Sequence, residues 1–160
     1  MVRVLPLFTH RLLRGEPITI YGGEEKVLDF TYVDDCVDGI ARGVYALAAG
    51  EGANATINLA YGQGNTLVRA ATLIADELGV EPRITLAPSL LGEVTHYVAD
   101  VRKARDVLGW VPETPLEAGI PKAVAWFKEW RAAHPDEDRP FVRPHAADEL
   151  EHGFKQPTPA

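Results

Sequence analysis

With a single cysteine, Cys36, the chain cannot close a disulfide on itself, and a reducing cytoplasm is its natural setting. Apolar runs are short; none approaches the length needed to cross a bilayer. The segment Met1 to Phe8 is mildly apolar but lacks the charged region, apolar core and small-residue cleavage site of a signal peptide. Cations are few: 16 Lys and Arg face 23 Asp and Glu, a formal charge of -7. That balance argues against nucleic acid or a membrane surface as partner, since both are anionic, though it leaves room for a local basic pocket. His10, His96, His134, His145 and His152 are scattered without metal-ligand spacing or a nucleophile partner, so no metal site is expected. No internal repeat is visible.

What is present is a well-patterned core. Hydrophobic residues make up 46% of 160 residues, enough for one ordinary domain. Val4, Leu5, Phe8, Leu12 and Leu13 recur at helical spacing until Gly15 and Pro17 stop them. Ile18 to Tyr21 reads as a strand, Gly22-Gly23 as a turn, and Leu28, Phe30 and Tyr32 as one face of an extended segment ending at Val33. Asp34 or Asp35 is placed to cap a helix with the stripe Val37, Ile40, Ala41, Val44, Leu47 and Ala48, ended by Gly50 and Gly52. Thr56 to Ala60 reads as a strand and Tyr61 to Asn65 as a turn. Asn65 or Thr66 caps a helix through Leu67, Ala70, Ile74 and Leu78 to Gly79. A short strand follows at Arg83 to Ala87, then a helix capped by Asp100 and ending at Gly109. Thr114-Pro115-Leu116-Glu117 is a helix start, with Thr at the cap and Pro in the first turn. Pro121 is expected to kink that last helix or shift its start. Strands alternating with helices give an α/β class. Residues 1–132 form the folded region. Residues 133–160, rich in proline and charge, read as a disordered tail.

Gly15-Glu16-Pro17-Ile18-Thr19-Ile20-Tyr21-Gly22 followed by Asp29-Phe30-Thr31-Tyr32-Val33-Asp34-Asp35 resembles the extended short-chain dehydrogenase/reductase family, in particular UDP-glucose 4-epimerase and its relatives. Ile57-Asn58-Leu59-Ala60, Gly92-Glu93-Val94 with Ala99 to Ala104, and Leu108-Gly109-Trp110-Val111-Pro112 resemble it further, in the same order. The resemblance implies the C-terminal, substrate-binding part of that fold, without the N-terminal Rossmann half. Full-length members use NAD, held by a Gly-rich turn at a helix N-terminus, and a Tyr-x-x-x-Lys pair. Neither is found here. Gly62-Gln63-Gly64 is the nearest glycine pattern and reads as a plain turn, and Tyr21, Tyr32, Tyr45, Tyr61 and Tyr97 are followed four residues later by Glu25, Cys36, Ala49, Asn65 and Val101. No catalytic residue, and no NAD binding by this chain alone, is therefore expected.

The resemblance also implies a site. Thr19, Ile20 and Tyr21 match the strand whose backbone pairs with a uracil edge and whose aromatic residue packs on the ring; filling a gap at a strand end is the plainer role for Tyr21. Glu93 matches an acid that binds ribose hydroxyls, and a carboxylate can accept two such hydrogen bonds. Tyr97 matches the edge of the sugar pocket, or is an ordinary half-buried tyrosine. The implied partner is a nucleotide sugar, most naturally a UDP-sugar. Relatives hold the diphosphate with two arginines, where this chain has Leu28 and either Leu90 or Leu91; Lys26, Arg83 and Arg102 are the other cations within reach in sequence. Two functions follow as expectations. One is the substrate-binding half of an epimerase or dehydratase, not catalytic by itself. The other is a stand-alone binding or interaction module that keeps the fold. Strands and apolar faces without their neighbours are expected to drive self-association, or pairing with a missing N-terminal half.

Overall fold

Nine elements follow one another in this computed structural model, which describes residues 4–51, 54–89 and 91–135. They are α1 (Val4–Leu13), β1 (Ile18–Tyr21), β2 (Val27–Asp29), α2 (Val33–Ala48), β3 (Gly64–Thr66), α3 (Leu67–Leu78), β4 (Ile84–Ala87), α4 (Arg102–Leu108) and α5 (Leu116–Ala133). The alternation of helix and strand gives the α/β class that the sequence predicts. Its strands form two small sheets: β1 pairs with β4 in parallel, from Ile18 opposite Ile84 to Tyr21 opposite Ala87, and β2 pairs with β3 antiparallel.

Helix α3 holds the centre. Ala70, Ala71, Ile74 and Ala75 have no exposed surface, and the three alanines let α1 and α5 approach closely. Phe8 and Leu12 come from α1, Ile18 and Ile20 from β1, and Leu116, Ile120 and Val124 from α5. Full burial of one such aliphatic side chain contributes about 1.5–3 kcal/mol. Thr66 caps α3 by accepting the Arg69 N–H at 3.1 Å, and Gly79 closes it in the left-handed region at φ 68°. A smaller packing centre surrounds Trp110, whose Nε1 donates to the Asp35 carbonyl at 3.0 Å. Gly39 of α2 is required there: a Cβ would lie 2.7 Å from Leu59 Cδ2 and 3.0 Å from Trp110 Cε2.

Several expectations are corrected. Thr56 to Ala60 has strand-forming side chains but forms no strand: no described strand pairs with it, and Leu59 packs against Gly39 of α2. Gly64 and Asn65, expected in a turn, belong to β3. The paired strand ends at Asp29, Tyr32 is still extended, and Val33 already opens α2. Neither Asp34 nor Asp35 caps α2: Tyr32 holds that position without a side-chain bond, and both aspartates fall in the first turn. Thr114 does not cap α5, since Pro115 takes the cap position and the Thr114 side chain turns to Asp35. Asp100 lies one residue before the cap of α4, although its carboxylate still accepts the Arg102 N–H at 3.0 Å. Pro121 does not shift the start of α5, which begins at Leu116 with the proline inside it. The proline lies past the free first turn, since the Gly119 N–H already donates to the Pro115 carbonyl at 2.9 Å, so the ring removes one intrahelical hydrogen bond that the rest of the helix tolerates. The expected apolar stripe of α2 is present but bare: Val37, Ile40, Val44 and Leu47 are all more than half exposed. The helix reaches Ala133, and of the expected tail residues 136–160 lie outside the described residues, as do Gly52 and Leu90.

Candidate functional site

The C-terminal end of β1 runs into a tight turn that places Lys26 beneath it. Gly22 has φ 93°, and a Cβ there would meet Lys26 Cδ at 3.1 Å, so the lysine stem lies against the turn backbone. Its ammonium is ion-paired with Glu93 from the irregular loop before α4. The next residue, Val27, fastens the same loop through its backbone. Val27 N–H donates to Thr95 O at 2.9 Å, and Tyr97 N–H donates to Val27 O at 2.9 Å. Lys26 and Val27 thus form a seam that holds residues 93–97 alongside the β1–β2 turn.

The residues the sequence singles out fall as follows. Thr19 and Tyr21 are half-buried in β1. Ile18 N–H donates to Arg83 O and Gly22 N–H to Ala87 O, so in this parallel ladder the even-numbered residues turn their backbone groups to β4. Thr19 and Tyr21 turn theirs to the opposite edge. The Ile20 side chain is 1% exposed within the core, and its backbone faces β4. Glu93 is half-buried and paired with Lys26. The Tyr97 side chain is 52% exposed beside the seam.

Leu28 packs against the core cluster, and Leu91 is fully exposed. Of the cations named above, Arg83 donates to the Gly15 carbonyl at the far end of β1, and Arg102 is bound bidentate by Asp100. The Arg102 guanidinium holds the Asp100 carboxyl down at about 2, and Asp100 in turn raises Arg102. Lys26 alone of the three stands beside a predicted site residue.

Three features escaped sequence reasoning. Asp29 is a hub: Oδ1 accepts the Tyr61 N–H at 3.1 Å, while Oδ2 accepts those of Gly62 at 3.0 Å and Ala99 at 3.2 Å. Its place in the Asp-Phe-Thr-Tyr run was the available signal. Asp35 joins α2 to the segment before α5. A cleft of about 560 Å³ opens between residues 30–34 and α5, lined by Leu5, Phe30, Tyr32, Ile120 and Trp126, with the Lys122 ammonium 4.8 Å from the Tyr32 ring centroid. None of the predicted site residues lines it.

Gly62-Gln63-Gly64 does not fit a dinucleotide. A Cβ at Gly64 would fall 2.3 Å from Val27 Cγ1 and one at Gly62 2.9 Å from Val101 Cγ2, so these glycines admit neighbouring side chains, not a pyrophosphate. Among the described residues no three His, Cys, Asp or Glu side chains group to hold a metal, and no helix is long and apolar enough to cross a membrane.

Known proteins resemble this chain in sequence and in fold. The NAD dependent epimerase/dehydratase family matches residues 1–60. UDP-glucuronic acid decarboxylase 1 of Xenopus tropicalis is 31% identical over 127 residues, covering 79% of this chain and 29% of that protein. UDP-glucose 4-epimerase of Mycolicibacterium smegmatis is 30% identical over 125 residues, covering 78% and 39% respectively. The crystal structure of UDP-glucose 4-epimerase from Thermotoga maritima with UDP-glucose superposes with a TM-score of 0.71 at 33% identity, over 80% of this chain and 40% of that one. The chain thus spans two-fifths or less of each of these three relatives. On these matches it is an α/β portion of the extended short-chain dehydrogenase/reductase fold, similar in sequence to members of the NAD-dependent epimerase/dehydratase family.

Proposed function

We propose that this chain is the C-terminal, nucleotide-sugar-binding portion of an NAD-dependent epimerase or dehydratase, and that it does no chemistry alone. The observation that carries the reading is the seam at Lys26 and Val27. It gathers the end of β1, the Glu93 carboxylate and Tyr97 along one turn. In this reading the outward backbone groups of Thr19 and Tyr21 pair with the amide edge of a uracil. Tyr21 packs on the ring, Glu93 accepts from the ribose hydroxyls, and Tyr97 borders the sugar. The hydride would be moved by NAD held on polypeptide outside this chain. The bare α2 stripe and the unpaired run at 56–60 would complete a sheet and its helical cover with that polypeptide. Residues 1–132 would be the binding region.

A second reading is favoured by one observation: Leu28 lies against the core, and neither Arg83 nor Arg102 is placed to replace a diphosphate-binding arginine. A binding or interaction module that recognises a nucleoside without its diphosphate would need no such cation.

Titration calorimetry on the chain separates the two. Heat from UDP and UDP-glucose that disappears in Glu93→Ala is expected from the first reading. Equal affinity for uridine and UDP supports the second. Absence of heat with every nucleotide contradicts nucleotide binding in both.

A further inference from the structure

Lys26 is 5% exposed, a rare state for a lysine, while the side chain of its partner Glu93 remains 28% exposed. The ion pair is therefore oriented, with the ammonium sealed under the β1–β2 turn and the carboxylate reaching the surface. Lys26 and Val27 both restrain the carboxylate. The charge of Lys26 holds it from below, and the Val27 hydrogen bonds to Thr95 and Tyr97 hold the backbone on its C-terminal side. An unrestrained surface glutamate loses torsional freedom when it takes a ligand; one already fixed loses less and discriminates better.

We infer that Lys26 is a positioning residue that fixes Glu93 to accept hydrogen bonds from the vicinal diol of a ribonucleoside, so that Lys26 sets the preference for ribo- over deoxyribonucleotides. The inference rests on the nucleotide-binding reading above, and it adds a residue whose own atoms need not touch the ligand. Its signature is selectivity. A residue with a purely structural role would weaken all nucleotides alike when replaced. A positioning residue for Glu93 affects only the hydroxyl that Glu93 reads.

The test compares UDP with 2′-deoxy-UDP on the full chain by titration calorimetry. The unsubstituted chain is expected to favour UDP about tenfold, the scale of one hydrogen bond to a charged group. Lys26→Met is expected to remove that ratio chiefly by weakening UDP, and Lys26→Arg to restore part of it. Because Lys26→Met strands a half-buried carboxylate, the pair Lys26→Met with Glu93→Leu is made as well. Removing both charges preserves folding better than removing one, and this variant is expected to bind both nucleotides equally. A folded Lys26→Met that keeps the ratio, or loses affinity for both nucleotides in parallel, overturns the inference. Equal binding of both nucleotides by the unsubstituted chain also overturns it, while leaving nucleotide binding intact. If the unsubstituted chain binds neither, the underlying reading fails and the positioning role fails with it.

Discussion

Asp35 grips Thr114 twice, taking its backbone N–H on Oδ2 at 2.8 Å and its hydroxyl on Oδ1 at 3.1 Å. The same carboxylate accepts the Glu113 N–H at 3.2 Å. One side chain thus ties the start of α2 to the entry of α5, across 79 residues of sequence. Asp34, its neighbour, is exposed. Asp35→Ala is therefore expected to cost about 2 kcal/mol in urea unfolding. Asp34→Ala is expected to stay within about 0.5 kcal/mol. Equal effects from the two substitutions would contradict the tie.

Two glycines should respond in opposite directions. At Gly64 an added Cβ meets Val27 Cγ1 at 2.3 Å, whereas at Gly43, inside α2, it meets nothing within 4 Å. Gly64→Ala is expected to destabilise by about 1–3 kcal/mol through overpacking. Gly43→Ala is expected to stabilise by about 0.5–1 kcal/mol through helix propensity. Thermal unfolding of both variants checks the pair, and a tolerated Gly64→Ala would refute the close packing of β3 on β2.

Arg102 sets the titration of Asp100. The side-chain hydrogen bonds from Arg102 hold Asp100 at about 2 in the folded chain, below its ordinary 3.8. A lowered folded value means that the stabilisation is present above about pH 4 and fades as the pH falls toward 2. The Asp100 carboxyl carbon, followed by NMR, is expected to titrate near the lower value and to return toward the ordinary one in Arg102→Gln. A midpoint unchanged by that substitution would show that the pair does not persist in solution.

The sequence carried most of the helices because their signals are local. Thr66 and Gly79 bracket α3 in the expected way, and Phe8 and Leu12 follow the helical period of α1. Strands depend on partners far away in sequence. The run at 56–60 has the right residues but pairs with no described strand, and Gly64-Asn65 acquires strand geometry only because Leu28 and Asp29 lie opposite. The aspartates misled for a related reason. A short acidic side chain before a helix satisfies backbone N–H groups, but Asp35 serves those of residues 113 and 114. In the candidate site, Glu93 and Tyr21 were singled out by motif resemblance alone. The pairing of Lys26 with Glu93, 67 residues apart, was not, because nothing local requires it.

The face of α2 carries a further expectation. Val37, Ile40, Val44 and Leu47 leave an apolar stripe in solvent. The chain on its own is expected to self-associate at micromolar concentration. Ile40→Glu with Val44→Glu should shift it toward monomer without lowering its helix content. Light scattering of the two forms decides this; a strictly monomeric unsubstituted chain would contradict it.

The location of the ligand is the central claim, and backbone amide NMR during a UDP titration tests it most directly. Shifts are expected to cluster at residues 19–26 and 92–97, along the Lys26–Val27 seam, and to shrink in Glu93→Ala. Shifts centred instead on Phe30, Tyr32 and Trp126 around the apolar cleft, or no saturable shifts at all, would contradict it.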